Sequence, residues 1–152
     1  MNRRRLIETL AGSNESPQRT AAAFAFGTFL SFSPFLGFQI ATGMGLAFLL
    51  RLNRVAVFLG LNVNLPWIMI PWYTLATYVG SALLQQPIAE DFGPRLSAAL
   101  ELPFYRAAFW QSAYDLVAPF FWSFVLGSTL GAAVIGVVTY FMMAMVLVKW
   151  RR

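Results

Sequence analysis

Long runs of apolar residues, each free of charge, alternate with short polar stretches along this chain. The uncharged blocks cover residues 20–50, 55–84 and 116–148. The hydrocarbon core of a bilayer is about 30 Å thick and takes about 20 helical residues. Each block is therefore too long for one straight span and too short for two, which favours a helical hairpin over a single crossing.

Residues that break helices lie near the middle of the first two blocks. Pro34 and Gly37 interrupt the first block, and Pro66, which follows Asn62 and Asn64, interrupts the second. Proline cannot donate a backbone hydrogen bond and glycine tolerates positive φ, so we predict short helices that meet inside the membrane. Irregular backbone is tolerated at that depth only where protein or a water-filled cavity shields it.

The third block allows two interpretations. Gly127 and Gly131 at its centre form a small-xxx-small pattern, which either packs helices closely or marks a turn. The block is therefore predicted to be a third hairpin or one long kinked helix. The same two glycines are also candidates for the contact surface of a homodimer.

The segments outside the blocks complete the predicted architecture. Residues 1–19 are expected to lie on the cytoplasmic surface, with Ser16 capping a helix that begins at Pro17. Residues 85–114 mix charged and aromatic side chains and predict an interfacial loop with an amphipathic helix. The predicted fold class is an all-α integral membrane protein, a single domain of three broken or re-entrant helical hairpins plus this interfacial helix.

Composition agrees with a membrane protein and narrows the chemistry. The chain is 59% hydrophobic and 11% charged, with a mean hydropathy of +0.63. Its net charge of +5 is concentrated at the block ends, which the positive-inside rule explains and a nucleic-acid-binding face does not. Both termini are therefore predicted to be cytoplasmic. Because histidine and cysteine are absent, we expect no conventional triad, zinc site or cofactor, and no enzyme activity.

The candidate binding site consists of polar or helix-breaking residues at the two breaks: Ser33, Pro34, Gly37, Gln39, Asn62 and Asn64. If Pro34 and Pro66 each open the second helix of a hairpin, two helix N-termini point into the membrane. Their N–H groups would bind a small anionic solute or a lipid headgroup, as broken helices do in secondary transporters. In the alternative interpretation the amides only join helices by hydrogen bonds, with no ligand.

Three arginines flank the first two blocks: Arg19, Arg51 and Arg54. They are most simply topology determinants that keep their end of the hairpins in the cytoplasm. Contact with the phosphates of membrane lipids is the alternative role.

Residues 16–27, 33–39, 51–53 and 64–66 resemble a family of small bacterial inner-membrane proteins catalogued as domain of unknown function 2062. That family has a proline and a glycine before a glutamine, followed by an asparagine–proline step; here Leu65 separates Asn64 from Pro66. The resemblance implies a multi-pass protein of the bacterial inner membrane.

The same resemblance adds an alternative to transport. Some relatives look like membrane modules fused to or paired with glycosyltransferases, which implies a non-catalytic scaffold or anchor for cell-envelope enzymes. The layout is also broadly similar to re-entrant-hairpin proteins of the DedA kind, which are linked to lipid translocation. This chain lacks their intramembrane acids and arginines, so no residue is carried over from them.

Overall fold

The computed structural model describes residues 16–35, 37–86, 98, 101–103 and 105–150. All regular structure in these residues is helical, which confirms the all-α part of the predicted fold class. The helices, with one 3₁₀ turn at Ala118–Phe120, are α1 (Pro17–Phe32), α2 (Gln39–Leu49), α3 (Arg54–Leu61), α4 (Pro66–Leu83), α5 (Ala107–Val117) and α6 (Phe121–Trp150). The chain divides into two compact units, residues 1–70 with 129–152 and residues 71–128.

Helix α1 starts and stops as its sequence predicts. The Ser16 side chain accepts a hydrogen bond from the Arg19 N–H at 3.3 Å, and Pro17 occupies the first helical position. The helix ends at Phe32, where the Ser33 hydroxyl donates to the Leu30 carbonyl oxygen at 2.7 Å. A side-chain bond of this kind replaces the backbone donor that a continuing helix would supply.

The first break differs in detail from the prediction. Helix α2 begins at Gln39 and not at Pro34, so the expectation that Pro34 opens the second helix is wrong. Gly37 takes a left-handed conformation with φ of +86°, which turns the chain before the new helix can start. The second break falls where it was predicted, because α3 ends at Leu61 and α4 begins at Pro66.

The turn between α2 and α3 closes with several backbone and side-chain bonds. Arg51 has φ of +52°, and the Leu52 N–H donates to the Ala47 carbonyl oxygen at 2.9 Å. A left-handed residue followed by such a bond is a common way to end a helix. The Asn53 side chain then accepts from the Ala56 N–H at 3.0 Å and caps α3.

In the first unit, α1 and α3 pack backbone to backbone. A Cβ atom on Gly27 would lie 3.0 Å from the Leu61 nitrogen, and one on Gly60 would lie 3.0 Å from the Gly27 Cα. The residues one turn earlier on each helix, Ala23 and Ala56, are fully buried. Small residues spaced four apart allow helices to approach this closely.

In the second unit, α4 and the start of α6 make the same kind of backbone-to-backbone contact. Cβ atoms on Gly80 and Gly127 would each lie 3.0 Å from the backbone nitrogen of the other residue. Ala76 and Ser123, one turn before each glycine in sequence, are buried as well. Of the two interpretations of the third block, the structure therefore has a long continuous helix in which Gly127 packs, and no hairpin turn at this point.

Apolar side chains cover much of the exposed surface. Within the described residues, one helical stretch, Ala118–Lys149, is long and apolar enough to cross a membrane, and 17% of its most apolar window is buried within the chain. A core helix of a water-soluble protein would be mostly buried.

Two predicted segments lie largely outside the described residues. These are the surface segment before Ser16 and much of the interfacial stretch 85–114. Helix α5, Ala107–Val117, overlaps the end of that stretch.

Candidate functional site

The two helix breaks meet at Ser31 and Asn64. The Asn64 backbone N–H donates to the Ser31 hydroxyl at 3.1 Å, and Asn64 Nδ2 donates to the Ser31 carbonyl oxygen at 2.9 Å. Asn64 is 9% exposed and Ser31 is fully buried. The paired bonds join the end of α1 to the segment before α4, and they leave the Asn64 Oδ1 atom buried without a hydrogen-bond partner.

Gln39 supplies a second buried acceptor without a partner, its Oε1 atom. The residue opens α2, and Gly43 follows it by one helical turn on the same face. A Cβ atom on Gly43 would lie 2.9 Å from the Leu61 side chain and 3.1 Å from that of Leu30. Gln39 therefore lies on the face of α2 that is turned toward α1 and α3, at the end where these two helices stop.

The remaining predicted site residues contribute less polar surface to this place. Asn62 is exposed, and its Nδ2 donates to the Phe58 carbonyl oxygen of its own helix at 2.7 Å. The Ser33 hydroxyl is engaged with Leu30. Pro34 is half-buried, and Gly37 is exposed with no atom within 4 Å of a Cβ built on it. Gln39 and Asn64 thus each hold a buried side-chain oxygen at a helix break, whereas Asn62 lies on the outside.

Ser31 contacts Asn64 but is absent from the site predicted from the sequence. It is one of the small residues of α1. The one sequence signal that could have identified it is its position two residues before the Ser33–Pro34 step at which the helix breaks. Its partner Asn64 stands 33 positions later, two residues before Pro66. Ser31 lies three residues before Pro34 and Asn64 lies two residues before Pro66, so each stands just before the proline of its break.

The loops around the buried amides present large apolar side chains outward. Phe38 is 74% exposed and Trp67 is 71% exposed, and Phe35 and Leu65 are exposed as well. Exposure of large apolar side chains costs free energy in water and is favourable in lipid. Both breaks therefore expose large apolar side chains close in sequence to the buried polar atoms.

The three arginines gather at the opposite end of α1. Arg19 Nη2 donates to the Arg51 carbonyl oxygen at 3.3 Å, and the Arg54 guanidinium lies 3.9 Å from the centre of the Phe48 ring. Arg19 precedes Ser31 by 12 residues, so the basic end and the amide end are separated by about 18 Å along the helix. All three arginines are exposed.

A groove of about 510 Å³ lies between α1 and the second half of α6. Its lining is apolar or aromatic: Ala22, Ala25, Phe26, Phe29, Ala133, Gly136, Val137, Tyr140 and Phe141. None of the predicted site residues lines it. Among the described residues, no group of three or more acidic residues is placed to hold a metal ion.

In the part of the chain that the structure describes, these features define a class of protein: it is all-helical, packs through small residues, exposes many large apolar side chains and has one helix long and apolar enough to cross a membrane. The chain belongs to the family described as uncharacterized protein conserved in bacteria (DUF2062), which it matches over residues 3–152. The family resemblance seen in the sequence is thereby confirmed. No curated protein and no solved structure gives a significant match.

Proposed function

We propose that this protein is a multi-pass protein of the bacterial inner membrane whose first four helices form re-entrant pairs. Helices α2 and α3 contain 11 and 8 residues, against the roughly 20 that a straight crossing requires. A pair such as α1–α2 would enter the bilayer from its basic end and return there. The exposed aromatic tips at the breaks and the arginines at the other end support this orientation.

Within that arrangement, the helix breaks bind and translocate a small polar solute or a lipid headgroup. One observation carries this proposal: two amide oxygens, Gln39 Oε1 and Asn64 Oδ1, are buried at the breaks without hydrogen-bond partners. A buried acceptor left unpaired costs about 1–3 kcal/mol, so folded proteins seldom retain one without a role for it. A ligand that supplies the missing partner removes that cost while it is bound.

A proteoliposome assay tests this function directly. Purified protein would be reconstituted and screened for uptake of glycerol, ethanolamine and phosphate, and for flipping of fluorescent phospholipids. We expect movement of at least one probe, and we expect Gln39→Met, which keeps the side-chain length and removes the amide, to abolish it. Asn62→Leu is the matched control, because Asn62 is exposed and bonded within its own helix. Equal activity of Gln39→Met and the parent protein would count against a ligand site at the breaks.

The second candidate function is a non-catalytic scaffold or anchor for a cell-envelope glycosyltransferase. The observation that favours it is the double hydrogen bond between Asn64 and Ser31, which uses a buried amide to join helices. A scaffold would copurify with an envelope glycosyltransferase after crosslinking and would move no probe in liposomes. In that case Gln39→Met would leave the copurification unchanged. A homodimer through Gly127 and Gly131 stays a prediction; Gly127 already packs against Ala76 within the chain.

A further inference from the structure

We infer that the group bound at the helix breaks is a hydrogen-bond donor, an ammonium or a hydroxyl, and not an anion. This inference rests on the proposed binding function and names the chemistry of its ligand. It reverses the charge preference that the sequence suggested, because the sequence argument counted backbone N–H donors, whereas the buried side-chain atoms of Gln39 and Asn64 that lack a partner are oxygens.

The orientation of the Asn64 amide is set by its neighbours. Nδ2 faces the Ser31 carbonyl oxygen at 2.9 Å, a position that an amide oxygen would occupy only against repulsion. The oxygen without a partner is therefore Oδ1. The Asn64 backbone N–H is also used, since it donates to the Ser31 hydroxyl. Asn64 thus offers a ligand an acceptor, while its backbone N–H and Nδ2 both donate to Ser31.

The N-terminus of α4 has few N–H groups with which to bind an anion. Pro66 has no N–H, and the N–H groups of Ile68 and Met69 both donate to the Leu65 carbonyl oxygen, at 2.8 and 3.0 Å. The predicted anion site at this N-terminus thus lacks most of the donors that it needs. At the start of α2, Gln39 adds a second buried acceptor. Carbonyl oxygens repel an anion and stabilise a cation or a hydroxyl proton.

Two sources could present such a donor, the headgroup of a membrane lipid or a free amine or alcohol. The pair phosphatidylethanolamine and phosphatidylcholine separates donor chemistry from charge, because both headgroups are zwitterionic and only the first has N–H donors. Methylammonium and tetramethylammonium make the same comparison for free solutes, because both are cations and only the first has N–H donors. Inorganic phosphate and phosphatidic acid are the anionic probes.

The experiment is competitive lipid binding to the purified protein by native mass spectrometry, with acyl chains matched among the lipids. We expect phosphatidylethanolamine to be retained about tenfold over phosphatidylcholine, since the second lipid leaves the buried oxygens unpaired. Gln39→Met should remove this preference. Gln39→Glu should keep it, because a carboxyl group retains an acceptor oxygen whether or not it is protonated. Circular dichroism and elution volume establish that both variants are folded.

Free methylammonium that displaces the bound lipid, where tetramethylammonium does not, would identify a soluble amine as the source. Failure of both to displace it would identify the lipid. Equal retention of the two zwitterionic lipids would overturn the inference. Stronger retention of phosphatidic acid or phosphate, lost in Gln39→Met, would also overturn it and would leave the proposed binding function standing. A protein that binds none of these probes and moves none in liposomes would overturn both.

Discussion

Gly27 and Gly60 lie in contact where α1 crosses α3: a Cβ atom on Gly60 would come within 3.0 Å of the Gly27 Cα and would overlap the carbonyl oxygen of Phe24. The two helices run parallel, because Arg19 meets Arg51 at one end and Ser31 meets Asn64 at the other. The glycine contact therefore sets how closely the two helices approach each other.

The first prediction concerns this crossing. Gly60→Ala should destabilise the protein by about 2–3 kcal/mol, because its methyl group would meet backbone atoms, which cannot move aside as a side chain can. Gly45→Ala is the matched control: it is also a helical glycine, and nothing lies within 4 Å of its Cβ position. This control should be neutral or stabilising by up to about 1 kcal/mol. Thermal unfolding in detergent measures both, and similar Tm values for the two variants would contradict the close contact.

The positions of the helix breaks followed from local chemistry that the sequence displays. Ser16–Pro17 marks the start of α1, and Pro66 marks the start of α4, since capping and proline geometry act within a few residues. The start of α2 could not be read from Pro34, because the left-handed turn at Gly37 delays the helix to Gln39. Local signals thus predict how many helices form better than they predict the residue at which each helix begins.

The packing partners could not be predicted in the same way. Each contact helix carries a small residue four positions before a glycine, at Ala23, Ala56, Ala76 and Ser123, but such spacing is common in apolar helices and does not name its partner. Gly127 and Gly131 drew attention as a pair, whereas the described contact uses Ser123 with Gly127. These long-range contacts decide which of the predicted site residues are buried. Asn62 and Asn64 therefore looked equivalent in the sequence.

The second prediction separates these two asparagines. Asn64→Ala should destabilise the protein by about 1–3 kcal/mol, because it removes the Nδ2 donor and opens a space beside the buried Ser31. Asn62→Ala should change stability by less than about 0.5 kcal/mol, since its amide is exposed. Chemical denaturation of both variants in the same detergent provides the comparison. Equal effects would show that the Asn64–Ser31 contact does not hold the breaks together.

The third prediction concerns the basic end of the first unit. Replacing Arg19 and Arg54 together by alanine should lower the copurified anionic phospholipid severalfold, because each basic side chain near an anionic surface contributes about 1 kcal/mol. Their replacement by lysine should restore most of it, since lysine keeps the charge. Arg106→Ala is the control, an exposed arginine outside this cluster. Lipid extraction followed by mass spectrometry measures the amounts. A similar loss in Arg106→Ala would indicate a general effect of net charge and no site at Arg19 and Arg54.

The fourth prediction tests the re-entrant path itself. The chain contains no cysteine, so single cysteines can be introduced for labelling without removing any native thiol. Leu50→Cys, an exposed position beside the arginine turn, should react with a membrane-impermeant maleimide only from the cytoplasmic face. Phe38→Cys, which is more exposed in the structure than Leu50 (74% against 53%), should resist that reagent from both faces, because a re-entrant pair places its tip within the hydrocarbon core. Labelling of Phe38→Cys from the periplasm would mean that the first pair crosses the bilayer completely, and the oxygens of Gln39 and Asn64 would then lie near the periplasmic surface instead of at membrane depth.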